Sequence, residues 1–159
     1  MDRKILEALQ ADGRMTNVEL AQKIGLTPAP TLARVNKLEA QGFITGYTAL
    51  IDRESIGMDV TVFVAVIMKS HGSKESREFL DRVCQFKNVV EVHHIAGNED
   101  YLLKIVAPST RAYEKFLLEE LSNLDGVQRL NTTFVLSSAK STTHIPIPSG
   151  GGILDEISS

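Results

Sequence analysis

The chain has 159 residues, 43% of them apolar and 23% charged, and a net charge of −3, an ordinary composition for a globular protein of one medium or two small domains. No apolar run approaches the roughly 18 residues of a membrane span and no signal-peptide pattern precedes the first helix, so a cytoplasmic protein without a membrane partner is expected. A single cysteine, Cys84, excludes an intrachain disulfide and the common structural zinc sites built on Cys pairs.

Asp2 can cap a first helix in which Ile5, Leu6 and Leu9 recur at one-turn spacing, and Asp12-Gly13 ends it. Thr16-Asn17-Val18-Glu19 fits a reciprocal capping box. Val18, Leu20, Ala21 and Ile24 supply the buried side of a second helix, and Gly25 suits a left-handed helix end, with Leu26 packing back under the turn. Three residues later a third helix begins, with Thr27 as N-cap and Pro28 at the first helical position. This spacing is that of a helix-turn-helix.

Helical periodicity puts Leu32, Val35 and Leu38 on the inner face of the third helix. Ala29, Pro30, Ala33 and Lys37 lie on the opposite one, with Arg34 at its edge. Small residues let a helix sink into a major groove roughly 12 Å wide, Arg donates to guanine or phosphate, and Lys mainly to phosphate. Thr27, Ala29, Pro30, Ala33, Arg34 and Lys37 are therefore the candidate contacts to double-stranded DNA. The plain alternative is a three-helix packing module with a solvated Arg and Lys. Residues 1–45 carry six basic and five acidic side chains, a net +1, and the remainder a net −4. So weak a charge implies that several recognition helices must act together, which favours an oligomer.

Gly42 ends the third helix, Phe43 and Ile44 re-enter the core, and 44–51 reads as a strand with a bend at Gly46, giving a linker strand and hinge over 44–58 after a first domain of 1–43. From 59 to 147 the pattern is βαββαβ. The first strand, 61–68, is nearly continuous β-branched and apolar, which suggests burial on both faces. A helix over 73–86 turns Phe79, Leu80, Val83 and Cys84 inward. A hairpin joins strands 89–96 and 101–106 through Gly97-Asn98-Glu99-Asp100. A second helix starts at Pro108-Ser109 and carries Tyr113, Phe116, Leu117 and Leu121, and a last strand covers 130–136. This order is the split βαβ, ferredoxin-like arrangement in the α+β class, with both helices on one sheet face. The other face needs a cover, and a second copy of the domain supplies it most economically.

The Gly97 to Asp100 turn is the candidate small-molecule site. Gly97 permits backbone approach, turn amides can receive a carboxylate, and Asp100 can pair with an α-ammonium. A simple hairpin turn, with Asn98, Glu99 and Asp100 chosen for turn propensity, is the alternative. His93-His94 is not a metal chelate, because consecutive strand residues point to opposite faces. His71 and His144 fall in loops and are read as solvated. No catalytic constellation, cofactor motif or metal-ligand spacing is found, so no enzyme and no cofactor are expected. Ile145-Pro146-Ile147-Pro148 is extended by its prolines, and 148–159 reads as a flexible Gly-rich tail, in which Ile153-Leu154 has the alternative of docking on a neighbouring subunit.

The Thr-Pro-x-Pro helix start at Thr27, Gly42-Phe43-Ile44, and Gly97-x-x-Asp100-Tyr101-Leu102-Leu103, on a helix-turn-helix followed by βαββαβ, resemble the Lrp/AsnC family of transcriptional regulators over residues 1 to about 147. The resemblance implies a winged helix-turn-helix, a sheet-to-sheet homodimer assembling to an octamer, and an effector, usually an amino acid, bound between dimers. By the same resemblance, the Gly97, Asn98, Glu99, Asp100 and Tyr101 segment and Thr132, Thr133 and Phe134 of the last strand line the effector pocket. Ala33 and Asn36 depart from the charged residues the family often carries there, so operator preference and phosphate contacts can differ. The competing reading is an amino-acid-binding regulatory module that acts on a protein partner through its N-terminal helices. A small ferredoxin-like enzyme is a third, with little support.

Overall fold

A computed structural model describes residues 1–70 and 72–148, with the backbone alone at Ser73. His71 and residues 149–159, and with them the readings of a solvated His71 and of a flexible or docking tail, lie outside the described residues. Two compact units are formed, one by 1–50 with 140–148 and the other by 51–139.

In the first unit, α1 (Asp2–Ala11), α2 (Asn17–Ile24) and α3 (Pro28–Ala40) pack around Ile5, Leu20, Ile24 and Leu38. Thr16 starts α2 with the expected capping box: its hydroxyl accepts from the Glu19 amide, and the Glu19 carboxylate accepts from the Thr16 amide at 2.7 Å. The Thr16 hydroxyl, followed by its amide, holds the Glu19 carboxyl below the usual carboxylate range. Gly25 closes α2 at φ 75°, and the Leu26 amide returns to the Ala21 carbonyl at 2.9 Å, so orphan carbonyls at the helix end are satisfied.

Three expectations fail here. Met1, not Asp2, is the N-cap of α1; Asp2 is inside the helix and buried, because its carboxylate pairs with Arg34. Val18 is 53% exposed and Leu32 50% exposed. Thr31 takes the inward position on α3 instead, at no polar cost, since its hydroxyl donates to the Thr27 carbonyl at 2.9 Å. Leu32 is left flanking a shallow cleft with Leu9, Met15 and Tyr47.

Phe43 and Ile44 pack on this core as expected, but 45–50 forms no strand. A strand exists only where its amides and carbonyls meet a partner, and none within the described chain reaches it. Residues 140–148 return to α1: the Gln10 side chain accepts from the Ile145 amide at 2.7 Å and donates to the Ile145 carbonyl at 3.0 Å.

The second unit follows the order β1 (Val60–Met68), α4 (Ser73–Val83), β2 (Val89–His94), β3 (Tyr101–Ala107), α5 (Thr110–Glu119) and β4 (Val127–Phe134). The strands form one antiparallel sheet in the order β2-β3-β1-β4. Alternation sorts its faces. Val62, Val64 and Val66 meet Leu103 and Ile105 on the helix side and are fully buried, together with Phe79 and Val83 of α4 and Tyr113 of α5. Phe63, Ala65 and Ile67 lie on the other face and are partly exposed, so within one chain β1 is covered on one side only. Cys84, expected inward, is exposed, because α4 ends at Val83. Residues 95 and 96 fall outside β2, and β4 starts three residues earlier than expected. Among the described residues no helix is long and apolar enough to cross a membrane.

Candidate DNA-binding and effector sites

The helix-turn-helix is rigidly started. The Asn17 side-chain amide donates to the Pro28 carbonyl at 2.8 Å, tying the first turn of α2 to that of α3. Thr27 is the N-cap of α3 by its backbone, without a side-chain cap bond; its carbonyl serves Thr31. Thr27, Ala29, Pro30, Ala33 and Lys37 are exposed, as a groove-facing helix requires, and Asn36 shares that face. Arg34 is different. Its guanidinium turns back to the buried Asp2 carboxylate at 2.8 Å and is 39% exposed, so part of its donor capacity ties α1 to α3.

In the second unit Gly97 adopts φ 148°, a conformation L side chains rarely take. Asn98 is exposed and Glu99 partly so. Asp100 continues the β1–β3 ladder beyond its last paired rung, Val66 with Tyr101. Its amide donates to the Val66 carbonyl at 2.9 Å, its carbonyl accepts from the Ile95 amide at 3.0 Å, and its carboxylate accepts from the Met68 amide at 2.7 Å. Tyr101 is a core residue, its ring 5.0 Å from Phe79 and 5.2 Å from His94.

The three candidates on β4 separate. Thr132 and Phe134 point to the helix side, where the Thr132 hydroxyl meets the Tyr113 phenol at 2.5 Å and the Phe134 ring stands edge-on to Tyr113. Burial raises the Tyr113 phenol above its usual value, against an opposing hydrogen bond from Thr132. Thr133, opposite Phe63, faces the other way. Phe134 shares a row with Val62, whereas Tyr101 shares one with Val66; four residues at about 3.4 Å each put those rows about 14 Å apart along the strands. One chain therefore does not bring the turn and 132–134 together. The part of β4 at the turn's end of the sheet is its start: Val127 lies opposite Met68, and the Lys69 amide donates to the Gly126 carbonyl at 2.8 Å. The Asp125-Gly126 pair was the sequence signal for that earlier start.

On the outer face, Glu91 accepts from Lys104 at 2.7 Å and lies 3.1 Å from His93. The Lys104 hydrogen bond, then that of His93, holds the Glu91 carboxyl below the usual carboxylate range. His94, by contrast, stacks on Tyr101 on the helix side, so the two histidines occupy opposite faces.

This architecture matches known proteins at both ends. A winged helix-turn-helix DNA-binding model matches residues 1–45, and the Lrp/AsnC ligand binding domain matches 61–145. The leucine-responsive regulatory proteins of Escherichia coli K12 and Klebsiella pneumoniae are each 40% identical over 147 residues, 92% of this chain and 90% of theirs. Among solved structures, a transcriptional regulator from Neisseria meningitidis in complex with L-Met is 34% identical with a TM-score of 0.88, covering 91% of this chain and 94% of that one. Escherichia coli AsnC is 30% identical with a TM-score of 0.84, covering 91% and 96%. Relatives and fold are those of regulators and not of enzymes. With the helix-turn-helix, the ferredoxin-like sheet and these matches together, the chain belongs to the Lrp/AsnC family of DNA-binding transcriptional regulators.

Proposed function

We propose that this regulator reads DNA in the cytoplasm through α3 and that a free amino acid, acting at the Gly97 to Asp100 turn, changes its assembly or its hold on DNA. The observation that carries the amino-acid reading is the L-Met complex of the Neisseria regulator, similar over nine-tenths of both chains. Thr27, Ala29, Pro30, Ala33 and Lys37 form the groove-facing surface, with Arg34 contributing whatever its tie to Asp2 leaves free. Gly97, Asn98 and Glu99 offer backbone and side-chain groups to an effector, while Asp100 shapes the turn and has a carboxylate for an ammonium group; Tyr101 holds the turn from the core. Because Thr132, Thr133 and Phe134 lie away from this turn within one chain, their contribution to the same pocket requires a second subunit.

The outer face with Phe63, Ala65 and Ile67 is the homodimer surface in this reading, and dimers assemble further, to octamers. Two recognition helices then share one site, offsetting the weak charge of the N-terminal unit. An effector acts by binding one assembly more tightly than another.

The experiment is sedimentation of the full chain, alone and with each of the twenty amino acids, paired with mobility shift on the DNA upstream of its own gene. An octamer or dimer whose mass or DNA affinity changes with one class of amino acid supports the reading. A monomer indifferent to all of them refutes it. Asp100→Asn, which keeps an acceptor for the Met68 amide, separates roles: loss of the response with thermal stability intact marks a ligand contact.

A further inference from the structure

We propose that residues 149–159 are an intramolecular ligand of the helix-turn-helix: Ile153-Leu154 fill the cleft beside α3, and Asp155-Glu156, held next to it, restrain DNA binding. The cleft lies among the three helices and Tyr47 and encloses about 140 Å³. That is well below the roughly 300–1,000 Å³ of pockets for free ligands and close to the roughly 150 Å³ apolar cavity that takes one benzene ring. It has the size of a side chain. Leu9, Met15, Leu32 and Val35 line it, and Leu32 and Tyr47 are left half exposed, apolar surface that an aliphatic side chain removes from water. One polar atom of the lining lacks a partner. The Asn17 amide donates to the Pro28 carbonyl, while the Asn17 Oδ1 is buried with no hydrogen bond among the described residues. The backbone amides of an incoming segment are the donors that such an acceptor calls for.

The chain itself delivers an occupant to this cleft. Gln10 holds Ile145 through two hydrogen bonds, and Gln10 adjoins Leu9 and precedes Gly13 by three residues, both of which line the cleft. Three residues span at most about 11 Å, whereas the eight from Ile145 to Ile153 reach up to about 26 Å. Gly150, Gly151 and Gly152 accept either sign of φ, so the sequence permits the path to reverse there. So short a tether gives an effective concentration on the order of millimolar, at which a small apolar contact suffices. Charge favours the same seat. Asp155-Glu156 follow the apolar pair directly, and Arg14 is exposed between Gly13 and Met15 at the cleft. Once docked, these two carboxylates bring the net +1 of residues 1–45 to −1, which opposes the approach of a phosphate backbone within a Debye length of about 10 Å at 0.1 M salt.

Methyl-resolved NMR and DNA titration of the full chain test this. In the double variant Ile153→Ser with Leu154→Ser, the methyls of Met15, Leu32 and Val35 should shift, while those of Leu103 and Ile105 in the sheet core stay as in wild type. The same variant should bind a non-specific duplex about tenfold more tightly at low salt, with the gain shrinking as salt rises. Asp155→Asn with Glu156→Gln should give a similar gain. The methyls are read without DNA, so they test the docking apart from the DNA-binding reading. The proposal is overturned if the cleft methyls of the apolar variant match wild type, or if neither variant raises the affinity. Labelled chains of the apolar variant, co-assembled with unlabelled wild type, should keep the variant's spectrum. Return of the wild-type cleft shifts in that mixture also overturns it, since the tail of a neighbouring subunit then fills the cleft.

Discussion

Asp2 and Arg34 lock α1 onto α3: the guanidinium donates to the carboxylate at 2.8 Å, and the acid's side chain is only 5% exposed. A charge-assisted bond at a largely buried acceptor contributes about 1.5–3 kcal/mol. Arg34→Ala should therefore lower the stability of the helical unit by about that amount, with Asp2→Asn costing less and the double variant less than the sum. Urea unfolding measures it. Unfolding midpoints equal to wild type in both single variants would show the pair to be idle, and loss of DNA binding in Arg34→Ala has to be judged against this loss of stability.

Lys37 gives the cleaner test of the DNA-facing surface, being exposed on the face that carries Ala29 and Ala33. Lys37→Ala is expected to weaken binding similarly across DNA sequences and to reduce the salt slope of log K by about 1, the signature of one lost phosphate contact. Titrations at several salt concentrations check it. An unchanged slope with a changed sequence preference would make Lys37 a base reader instead.

What could be read from the sequence was local chemistry. Thr16 with Glu19, and Gly25 before Leu26, specify a helix start and stop through bonds within a few residues, and the structure has both. The rotational setting of α3 was not local. Thr31 rather than Leu32 faces inward because the packing of α1 and α2 fixes that face, and a threonine can hide its hydroxyl on its own helix. On the effector side, the turn and its Gly97 were visible from composition. The separation of that turn from Thr132 and Phe134 was not, since it depends on the strand order and on the β1–β4 register that sets Phe134 opposite Val62 and Thr132 opposite Val64.

Glu91 makes the outer sheet face sensitive to acid. Lys104, then His93, keeps its folded-state pKa below the usual carboxylate value, so the folded chain binds fewer protons there than the unfolded one. The stabilisation is fully present above the unfolded pKa of about 4.3 and is lost as pH falls through the lower folded value. At this exposure it amounts to about 1 kcal/mol or less. Thermal unfolding of wild type and Glu91→Gln should differ at neutral pH and converge in acid; parallel curves throughout would show that the network contributes nothing.

Gln10 and Ile145 are 135 residues apart in sequence and joined by two hydrogen bonds, a side-chain amide imitating one rung of a ladder. These bonds are exposed, so each contributes only about 0.5–1.5 kcal/mol. Gln10→Ala should speed amide exchange at Ile145 by up to about tenfold while α1, held by Ile5 and Ala8 in the core, exchanges as before. Hydrogen-exchange mass spectrometry reads both at once. If α1 also loses protection, the segment is part of what holds the helical unit together; if neither changes, the Gln10 bonds do not persist in solution.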